Sequence, residues 1–473
     1  MNRPTFIEVI LPLALPKLYT YAVHFEEAEK IQVGQRIIVQ FGRRRIYSAI
    51  VSRIHHKKPK EYDPKFVEEI IDESPIVTLH QLQLWQWIAQ YYMCTIGEVM
   101  AIALPSALKL SSESIFLYNE GADIQNIELS DDEYLIAEAL EMNRELKLDD
   151  IQGILGKKNV HPIAQSLMEK RICVVKEVVL QKYKEKTVSF VALSERYSTD
   201  KALQALFDKL GKKEKQIAVL LYYLQLTPER ILIEKKKLTA NPTISDSSIK
   251  TLIKNEIFVE KRQTVSRLMA KNVEVKSLDN LSPAQQKALN ETQAIFTEKN
   301  VAVLEGVTGS GKTHIYIKLI KEAIAKGEQV LYLLPEIALT AQIVMRLAKY
   351  FGKKVGIYHS KFNDQERVEI YQKVLKDEYK IILAARSGVF LPFQNLGLII
   401  VDEEHERSYK QYEPAPRYHA RDTAVMMSRF YDAKVLLGSA TLSLETYNNV
   451  QQEKYGHVLL SERFGDAVLP EIT

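Results

Sequence analysis

The chain has 473 residues, 46% of them hydrophobic, with 64 Lys+Arg against 60 Asp+Glu, which suits about three domains with cores of their own and excludes a disordered chain. The 2 cysteines, Cys94 and Cys173, stand far apart without any C-x-x-C, which excludes a disulfide scaffold and a cysteine-based zinc cluster within these residues. No run of roughly 18 apolar residues marks a membrane span, and Pro12 and Pro16 break the N-terminal apolar stretch, so no secretory signal is read and a reduced, cytoplasmic setting is expected.

Residues 1–105 read as a small β-rich domain closed by a helix. Strands are predicted over Phe6–Leu11, Ile37–Phe41 and Ile46–Val51, punctuated by Pro12, Pro16, Gly34 and Gly42. A helix is predicted over Leu79–Tyr92, with Leu82, Trp85, Ile88 and Ala89 on one face. Between Lys30 and Lys60 stand Arg36, Arg43, Arg44, Arg45, Arg53, Lys57 and Lys58, with no acidic residue among them. Such a run is either a solvated face or a phosphate-binding one, for which the cations must be free of carboxylates. Tyr19, Tyr21, Phe25, Phe41 and Tyr47 lie nearby, either as strand core or as rings that stack on unpaired bases.

Residues 110–275 contain an internal repeat. S-L-M-E-K-R-I-C-V-V-K-E at 166–177 resembles T-L-I-K-N-E-I-F-V-E-K-R at 251–262, pairing Leu167 with Leu252, Ile172 with Ile257 and Val174 with Val259. Amphipathic helices are predicted upstream of each copy, over Asp131–Met142 and Lys213–Leu224. Helix, helix and strand make either two winged-helix-like α+β units in tandem or an ordinary helical connector. The second copy carries Lys235, Lys236 and Lys237, and Ile249, Leu252 and Ile253 form the buried face of its helix.

From 281 to 473 strands alternate with helices. Short apolar runs at Val301–Glu305, Gln329–Leu334, Val355–Tyr358, Ile381–Ala385, Leu398–Val401 and Val435–Leu437 read as buried strands of a parallel sheet. Helices over Thr313–Ala325 and Ile337–Tyr350 serve as crossovers. The chain is thus expected to be multidomain α/β, ending in a RecA-like parallel-sheet P-loop lobe.

Three motifs in this last region carry chemistry. G-V-T-G-S-G-K-T at 306–313 follows a strand and opens a helix, the context a P-loop needs. Gly306, Gly309 and Gly311, with Thr308 and Ser310 between them, let backbone N–H groups curl around phosphate at a helix N-terminus. Lys312 is expected to reach the β/γ-phosphates of ATP and Thr313 to ligate Mg²⁺. In L-I-I-V-D-E-E-H at 398–405, a strand delivers Asp402 as the second Mg²⁺ ligand and Glu403 to orient the attacking water. His405 is either a surface histidine or a reader of nucleotide state. L-G-S-A-T-L at 437–442 offers Ser439 and Thr441 at the tip of a third strand.

These motifs, in this order, resemble the series of superfamily 2 helicases and translocases. Y-H-S (358–360), A-A-R-S-G-V-F-L-P-F (384–393), D-E-E-H-E-R-S-Y-K-Q-Y (402–412), P-R-Y-H-A-R-D (416–422) and L-P-E-I-A-L-T (334–340) are similar to the primosomal protein N′ family, the PriA-type replication-restart helicases. So are P-L-A-L-P-K-L-Y-T-Y (12–21) and V-G-Q-R-I-I-V-Q-F-G-R-R-R (33–45), which resemble its 3′-end-binding domain. The resemblance implies a 3′→5′ DNA helicase that recognises stalled forks and starts primosome assembly. Forked and single-stranded DNA, a recessed 3′ end, primosome proteins and single-strand-binding protein are the implied partners, with no membrane. Gln285 is implied to read adenine. Tyr409, Lys410, Tyr412, Arg417, Tyr418 and His419 would form an aromatic-rich loop on single-stranded DNA, and Arg386 and Ser387 would touch its backbone. Tyr19, Thr20 and Tyr21 would line the 3′-end pocket beside Arg43–Arg45.

Members of this family continue into a cysteine-rich zinc module and a second RecA-like lobe. These residues alone are therefore expected to bind ATP and DNA with little turnover, and zinc only in the part beyond them. Two other functions fit the same motifs: an assembly platform with ATP as a switch, and another superfamily 2 translocase.

Overall fold

The structure, a computed structural model, describes residues 4–42, 45–109, 112–122, 124, 127–157, 160–179, 187–211, 213–227, 231–264, 280–336, 341–359 and 362–463. It divides into two units, Met1–Tyr183 with Ala270–Thr473, and Lys184–Met269.

The first unit opens with β1 (Thr5–Ile10), β2 (Tyr19–Val23), β3 (Arg36–Phe41), β4 (Arg45–His55) and β5 (Glu69–Ile70). They form an antiparallel sheet in the order β2-β1-β4-β3-β5. Ile7, Val9, Tyr21, Ile37, Val39, Ala49 and Val51 form its core, and Tyr19, Phe41 and Tyr47 pack against it. The basic stretch is less free than its composition suggests. Arg36 is buried against Asp72, bonding both carboxylate oxygens (2.6 and 2.9 Å) and the Leu108 carbonyl (3.1 Å). Arg53 pairs with Glu8 (2.6 Å) and Lys58 with Asp63 (2.6 Å). These three cations therefore favour the solvated-face alternative, their carboxylate partners lying outside the run. Arg43 and Arg44 lie outside the described residues, and Arg45 is exposed at the start of β4.

Two helices follow, α1 (Leu79–Tyr91) and α2 (Ile96–Ala103), opened by capping boxes at Thr78 with Gln81 and Thr95 with Glu98. The buried face of α1 is Gln81, Leu84, Trp85 and Ile88; Leu82 and Ala89 are only partly buried. The face is displaced because a polar residue occupies it. Gln81 caps the helix through its Oε1, and its Nε2 donates to Phe390 O (2.6 Å) in the last domain. Tyr371 O–H returns the contact by donating to Ile76 O (3.0 Å).

The unit continues through β6 (Ser112–Tyr118), α3 (Asp131–Asn143), β7 (Glu145–Lys147), α4 (Leu148–Leu155), α5 (His161–Glu169) and β8 (Cys173–Val179), with strand order β7-β6-β8. Glu133 ties this region together, accepting from Ser130 N (2.7 Å) and Lys170 Nζ (2.9 Å). Hydrogen bonds from Ser166, the Ser130 backbone and Lys170 hold its carboxyl at about 2, below the ordinary 4.5. As pH falls from 4.5 towards 2, the unfolded chain takes up the proton first, so the stability from Glu133 is lost across that window. Glu133→Gln is expected to flatten the acid-unfolding curve there, as followed by circular dichroism. An unchanged slope would sink this assignment.

The second unit holds β9 (Thr187–Leu193), α6 (Asp200–Leu210), α7 (Glu214–Leu226), β10 (Ile233–Glu234), α8 (Lys235–Thr239), α9 (Asp246–Lys254) and β11 (Phe258–Thr264), with strand order β10-β9-β11. The sequence repeat is a repeat of local geometry. Leu167 and Leu252 are buried, as are Ile172 and Ile257, whereas Val174 and Val259 are both exposed. Each copy turns from helix to strand through a left-handed residue, Arg171 (φ 58) and Glu256 (φ 54). Each turn is closed by the same bond, Ile172 N to Leu167 O and Ile257 N to Leu252 O, both 2.9 Å. Ile249 and Leu252 are buried on α9, with Ile253 packed beside them. Lys235 pairs with Asp246 (2.9 Å), while Lys236 and Lys237 are exposed.

The last part of the first unit runs α10 (Pro283–Glu298), β12 (Val301–Gly306), α11 (Lys312–Ala325), β13 (Gln329–Leu333), α12 (Ala341–Phe351), β14 (Val355–Tyr358), α13 (Asp364–Leu375), β15 (Ile381–Ala384), β16 (Leu396–Asp402), α14 (Ala420–Tyr431), β17 (Lys434–Ser439), α15 (Leu444–Gln451) and β18 (Gly456–Leu460). Residues 337–340, at the start of the helix expected from Ile337, lie outside the described residues. The seven strands are parallel in the order β14-β15-β13-β16-β17-β12-β18. Their apolar runs are buried on both faces, as the crossover helices require. The edge strand β18 has no counterpart among the sequence predictions, because it alternates buried Val458 with exposed His457 and Leu459. Its Leu460 carbonyl accepts from Val307 N (3.2 Å) and so anchors the start of the P-loop.

Candidate functional site

Ligand sites in open parallel sheets lie beyond the carboxyl ends of the strands. Here β12, β16 and β17, neighbours in the sheet, end in the P-loop, Asp402 and Ser439 respectively.

The P-loop turns through Gly309 (φ 82) and Gly311 (φ 79), a left-handed backbone that side chains resist. Val307, Thr308 and Gly309 are exposed, and Lys312 and Thr313 open α11. Lys312 Nζ donates to Gly306 O (2.7 Å), which leaves two of its three donors for a ligand. Ser310 Oγ is buried without a hydrogen-bond partner among the described residues, an unmet polar atom inside the loop. Gln285 is buried behind it. Its Oε1 accepts from Ser282 N (3.1 Å) and its Nε2 donates to Ser310 O (3.0 Å), so both ends of its amide are engaged by protein.

Asp402 ends β16 inside a ring of tyrosines. Tyr316 O–H donates to Oδ1 and Tyr332 O–H to Oδ2, each at 3.0 Å. Tyr409 O–H donates to the Asp402 backbone carbonyl (2.6 Å). Burial raises the Asp402 carboxyl pKa above its ordinary value, with the adjacent Glu403 adding to it, while Tyr316, Tyr332 and Lys312 oppose. Burial and then the Asp402 charge push all three tyrosine hydroxyls well above 10, so they remain donors. Each Asp402 oxygen keeps a lone pair beyond its tyrosine bond. The Asp402 carboxylate and the Thr313 hydroxyl are each hard-oxygen donors, the kind Mg²⁺ takes together with water and phosphate.

The remaining residues of this segment have distinct settings. Glu403 is half-exposed with left-handed backbone (φ 50). His405 Nδ1 and Ser439 Oγ are 2.7 Å apart; since that hydroxyl donates to Thr441 O (2.5 Å), the histidine nitrogen is the donor. Glu404 is fully buried. It accepts from Ser443 N (2.7 Å), Ser443 Oγ (3.0 Å), Thr446 Oγ1 (2.8 Å) and Arg421 Nη1 (3.0 Å).

The loop 407–419 is closed by a bridge between Lys410 and His419 and braced by Gln411, whose Nε2 donates to Pro414 O (2.9 Å) and Pro416 O (3.1 Å). Tyr412 and Arg417 are exposed, and Lys410 is partly so. Tyr409 and Tyr418 are each 1% exposed and offer no ring face to a base in this arrangement. Tyr409 instead supports Asp402, and Tyr418 packs edge-on against Phe390 (5.0 Å). His419 is half-buried, and burial lowers its pKa from 6.5, with Arg421 and Lys410 adding to this against Asp422. Arg386 Nη1 donates to Ser408 O (3.3 Å), tying its turn to the loop, and Ser387 is partly exposed beside it.

In the N-terminal sheet, Tyr19, Thr20 and Tyr21 do share a pocket, of 290 Å³, with Phe41, Tyr62 and Asp63. Thr20 N–H donates to Tyr62 Oη (2.8 Å), and Tyr21 forms the buried wall, its hydroxyl donating to Gln40 O (3.0 Å).

Sequence reasoning missed Tyr316, Tyr332, Glu404, Arg421 and Gly438. Tyr316 had a signal: it lies one helical turn beyond Lys312, on the same face of α11. Gly438 matters because a Cβ there would lie 1.8 Å from Tyr316 Oη. The other three are recognisable only once the elements are packed.

Comparisons with known proteins bear on the whole chain. The model described as the 3′DNA-binding domain (3′BD) matches residues 8–105, and that of the DEAD/DEAH box helicase matches 282–450. Between them, one described as a winged helix domain matches 121–178, and one for the winged helix domain of PriA helicase, Bacteroidota, matches 188–265. The replication restart protein PriA of Bacillus subtilis (strain 168) is 31% identical over 479 residues, covering 99% of this chain and 57% of that protein. Its namesake in Haemophilus influenzae is 30% identical over 468 residues, covering 98% and 52%. That of Rickettsia conorii is 45% identical over 196 residues, covering 41% and 30%. The chain therefore spans about half the length of the first two relatives. A 3′DNA-binding module, winged helices and a helicase lobe follow one another along this chain, which over almost its whole length is similar to the PriA replication restart proteins.

Proposed function

We propose that the protein is an ATP-dependent 3′→5′ DNA helicase that recognises stalled or abandoned replication forks and begins primosome assembly. Residues 1–105 take the recessed 3′ end in the pocket of Tyr19, Thr20 and Tyr21, with Arg43–Arg45 on its phosphates. Residues 110–275 are two winged-helix units, and 281–473 form the first motor lobe. Primosome proteins and single-strand-binding protein are its partners.

In the motor lobe, Gly306–Thr313 wrap the phosphates, and Lys312 holds the β/γ oxygens. Gln285, bonded to Ser310, sets the P-loop against the base-binding side. Thr313 and Asp402 hold Mg²⁺, which when bound neutralises charge on the transferring phosphoryl group. Glu403, fixed by its left-handed backbone, orients water. Arg386, Ser387, Lys410, Tyr412, Arg417 and His419 follow the single strand.

One observation carries this reading: Asp402 is bonded at once to the P-loop helix through Tyr316 and to the loop through Tyr409. A strand that moves the loop therefore moves the carboxylate that faces the nucleotide. The test is titration with a fluorescent ATP analogue in Mg²⁺, with and without an oligonucleotide. Lys312→Ala is expected to weaken nucleotide binding by about tenfold, the scale of one charge-assisted phosphate contact. DNA is expected to shift nucleotide affinity in the parent and not in Tyr409→Phe. Equal affinity in parent and Lys312→Ala would overturn the nucleotide site.

A further inference from the structure

The sequence repeat keeps its core and changes its surface. α5 and α9 are each 9 residues long and match position for position, with Ala164 and Ile249 buried alike, as are Leu167 and Leu252. Their outward positions differ. Lys250 and Lys254 of α9 stand where α5 has Gln165 and Glu169, which bond each other (3.0 Å). α5 carries no Lys or Arg, and α3 beside it exposes Asp131, Glu138 and Glu141.

On the second copy the carboxylates are already neutralised. α8, α9 and β11 carry two, Asp246 and Glu260. Lys235 reaches Asp246 (2.9 Å) and Glu260 (3.7 Å), and Lys250 also pairs with Asp246 (2.9 Å). Glu256, in the turn between α9 and β11, is held by Arg196 (2.8 Å). Lys236, Lys237, Lys254 and Arg262 remain exposed, with no ion pair among the described residues. Lys254 lies one turn beyond Lys250 on the outward face of α9, with Ser247 and Thr251, and strand alternation puts Arg262 on the face of Glu260. Cations left over after every nearby carboxylate is matched are what phosphate binding needs. The one aromatic residue of these three elements, Phe258, is 1% exposed. Cations and hydroxyls without a ring suit the phosphates of a duplex, whose bases are stacked away, and not an unpaired strand.

We propose that the second winged-helix unit holds the backbone of duplex DNA through Lys254 and Arg262, flanked by Lys236 and Lys237, and that the first copy takes no part. This surface shares no residue with the 3′-end pocket or with the loop 407–419.

The probe is a labelled blunt duplex with a 3′-phosphate on each strand, which offers neither unpaired bases nor a free 3′-hydroxyl. Its affinity for the full chain is followed by fluorescence anisotropy across a range of salt concentrations. Each phosphate contact contributes about 0.9 to the slope of log affinity against log salt, so Lys254→Ala with Arg262→Ala is expected to flatten that slope by about 1.8. Gln165→Ala with Glu169→Ala, on the matching helix of the first copy, is expected to keep the parent's slope. All four side chains are exposed, so both pairs are expected to melt with the parent. The Lys254–Arg262 pair is also expected to bind an oligothymidylate blocked by a 3′-phosphate as the parent does. A parent-like slope in that pair, or a parent that leaves the duplex unbound, overturns the surface. An equal loss on the oligothymidylate overturns its assignment to duplex DNA. If the duplex goes unbound while a recessed 3′ end is still taken, this surface falls and the proposed function stands.

Discussion

Glu404→Ala is expected to lower the unfolding free energy of the last domain by about 3 kcal/mol, the low end for breaking a buried ion pair. Glu404 is the one fully buried carboxylate of Asp402–Glu403–Glu404. Its oxygens receive the Ser443 N–H that starts α15, two hydroxyls and the Arg421 guanidinium of α14. Removing it strands Arg421, which is 6% exposed, with Nη1 short of its carboxylate; Nε keeps Asp422, which holds the loss near the low end. Glu403→Gln is the control. Glu403 is half-exposed and bonds none of these groups, so its variant is expected to unfold at the parent's denaturant midpoint. A Glu404→Ala protein unfolding there too would refute the role of Glu404 as a structural hub.

The contrast between these neighbours marks what sequence could and could not reveal. The strand before them was legible because four apolar residues in a row have no solvent face, and Leu398–Val401 is buried on both sides of the sheet. The P-loop was legible because its glycines and lysine act through local backbone geometry. What Asp402 touches was not, because Tyr316, Tyr332 and Tyr409 come from a helix, a strand and a loop brought together by packing alone. The loop 407–419 shows the same division. Its mixture of Tyr, Lys and Arg identified the segment, but a loop has no period, so nothing local separates buried Tyr409 and Tyr418 from exposed Tyr412. The basic stretch stayed open between two readings for a related reason. Its neutralising partners, Glu8, Asp63 and Asp72, are close in space and outside the run in sequence. The repeat was legible because it recurs in apolar positions, and its shared left-handed turn at Arg171 and Glu256 became visible only in the backbone.

Gly438→Ala is expected to weaken Mg²⁺-dependent nucleotide binding by about 10- to 100-fold, the usual range for disturbing a group that orients a metal ligand. A methyl on Gly438 would lie 1.8 Å from Tyr316 Oη and 2.9 Å from its Cζ. Tyr316 is fully buried with a rigid ring, so it cannot yield by swinging its end. It must shift along α11 and release Asp402 Oδ1, at an overpacking cost of about 1–3 kcal/mol. Tyr316→Phe removes the same hydrogen bond without crowding. It is expected to reproduce the binding defect while keeping most of the stability. Adding Gly438→Ala to Tyr316→Phe should then cost less than it does in the parent, a coupling of more than about 0.5 kcal/mol, because the hydroxyl it struck is gone. The measurements are titration with an ATP analogue across Mg²⁺ concentrations and thermal melting of the four proteins. Additive losses would show that Gly438 and Tyr316 act separately. Parent-like binding in Gly438→Ala would remove the tyrosine ring from the control of Asp402.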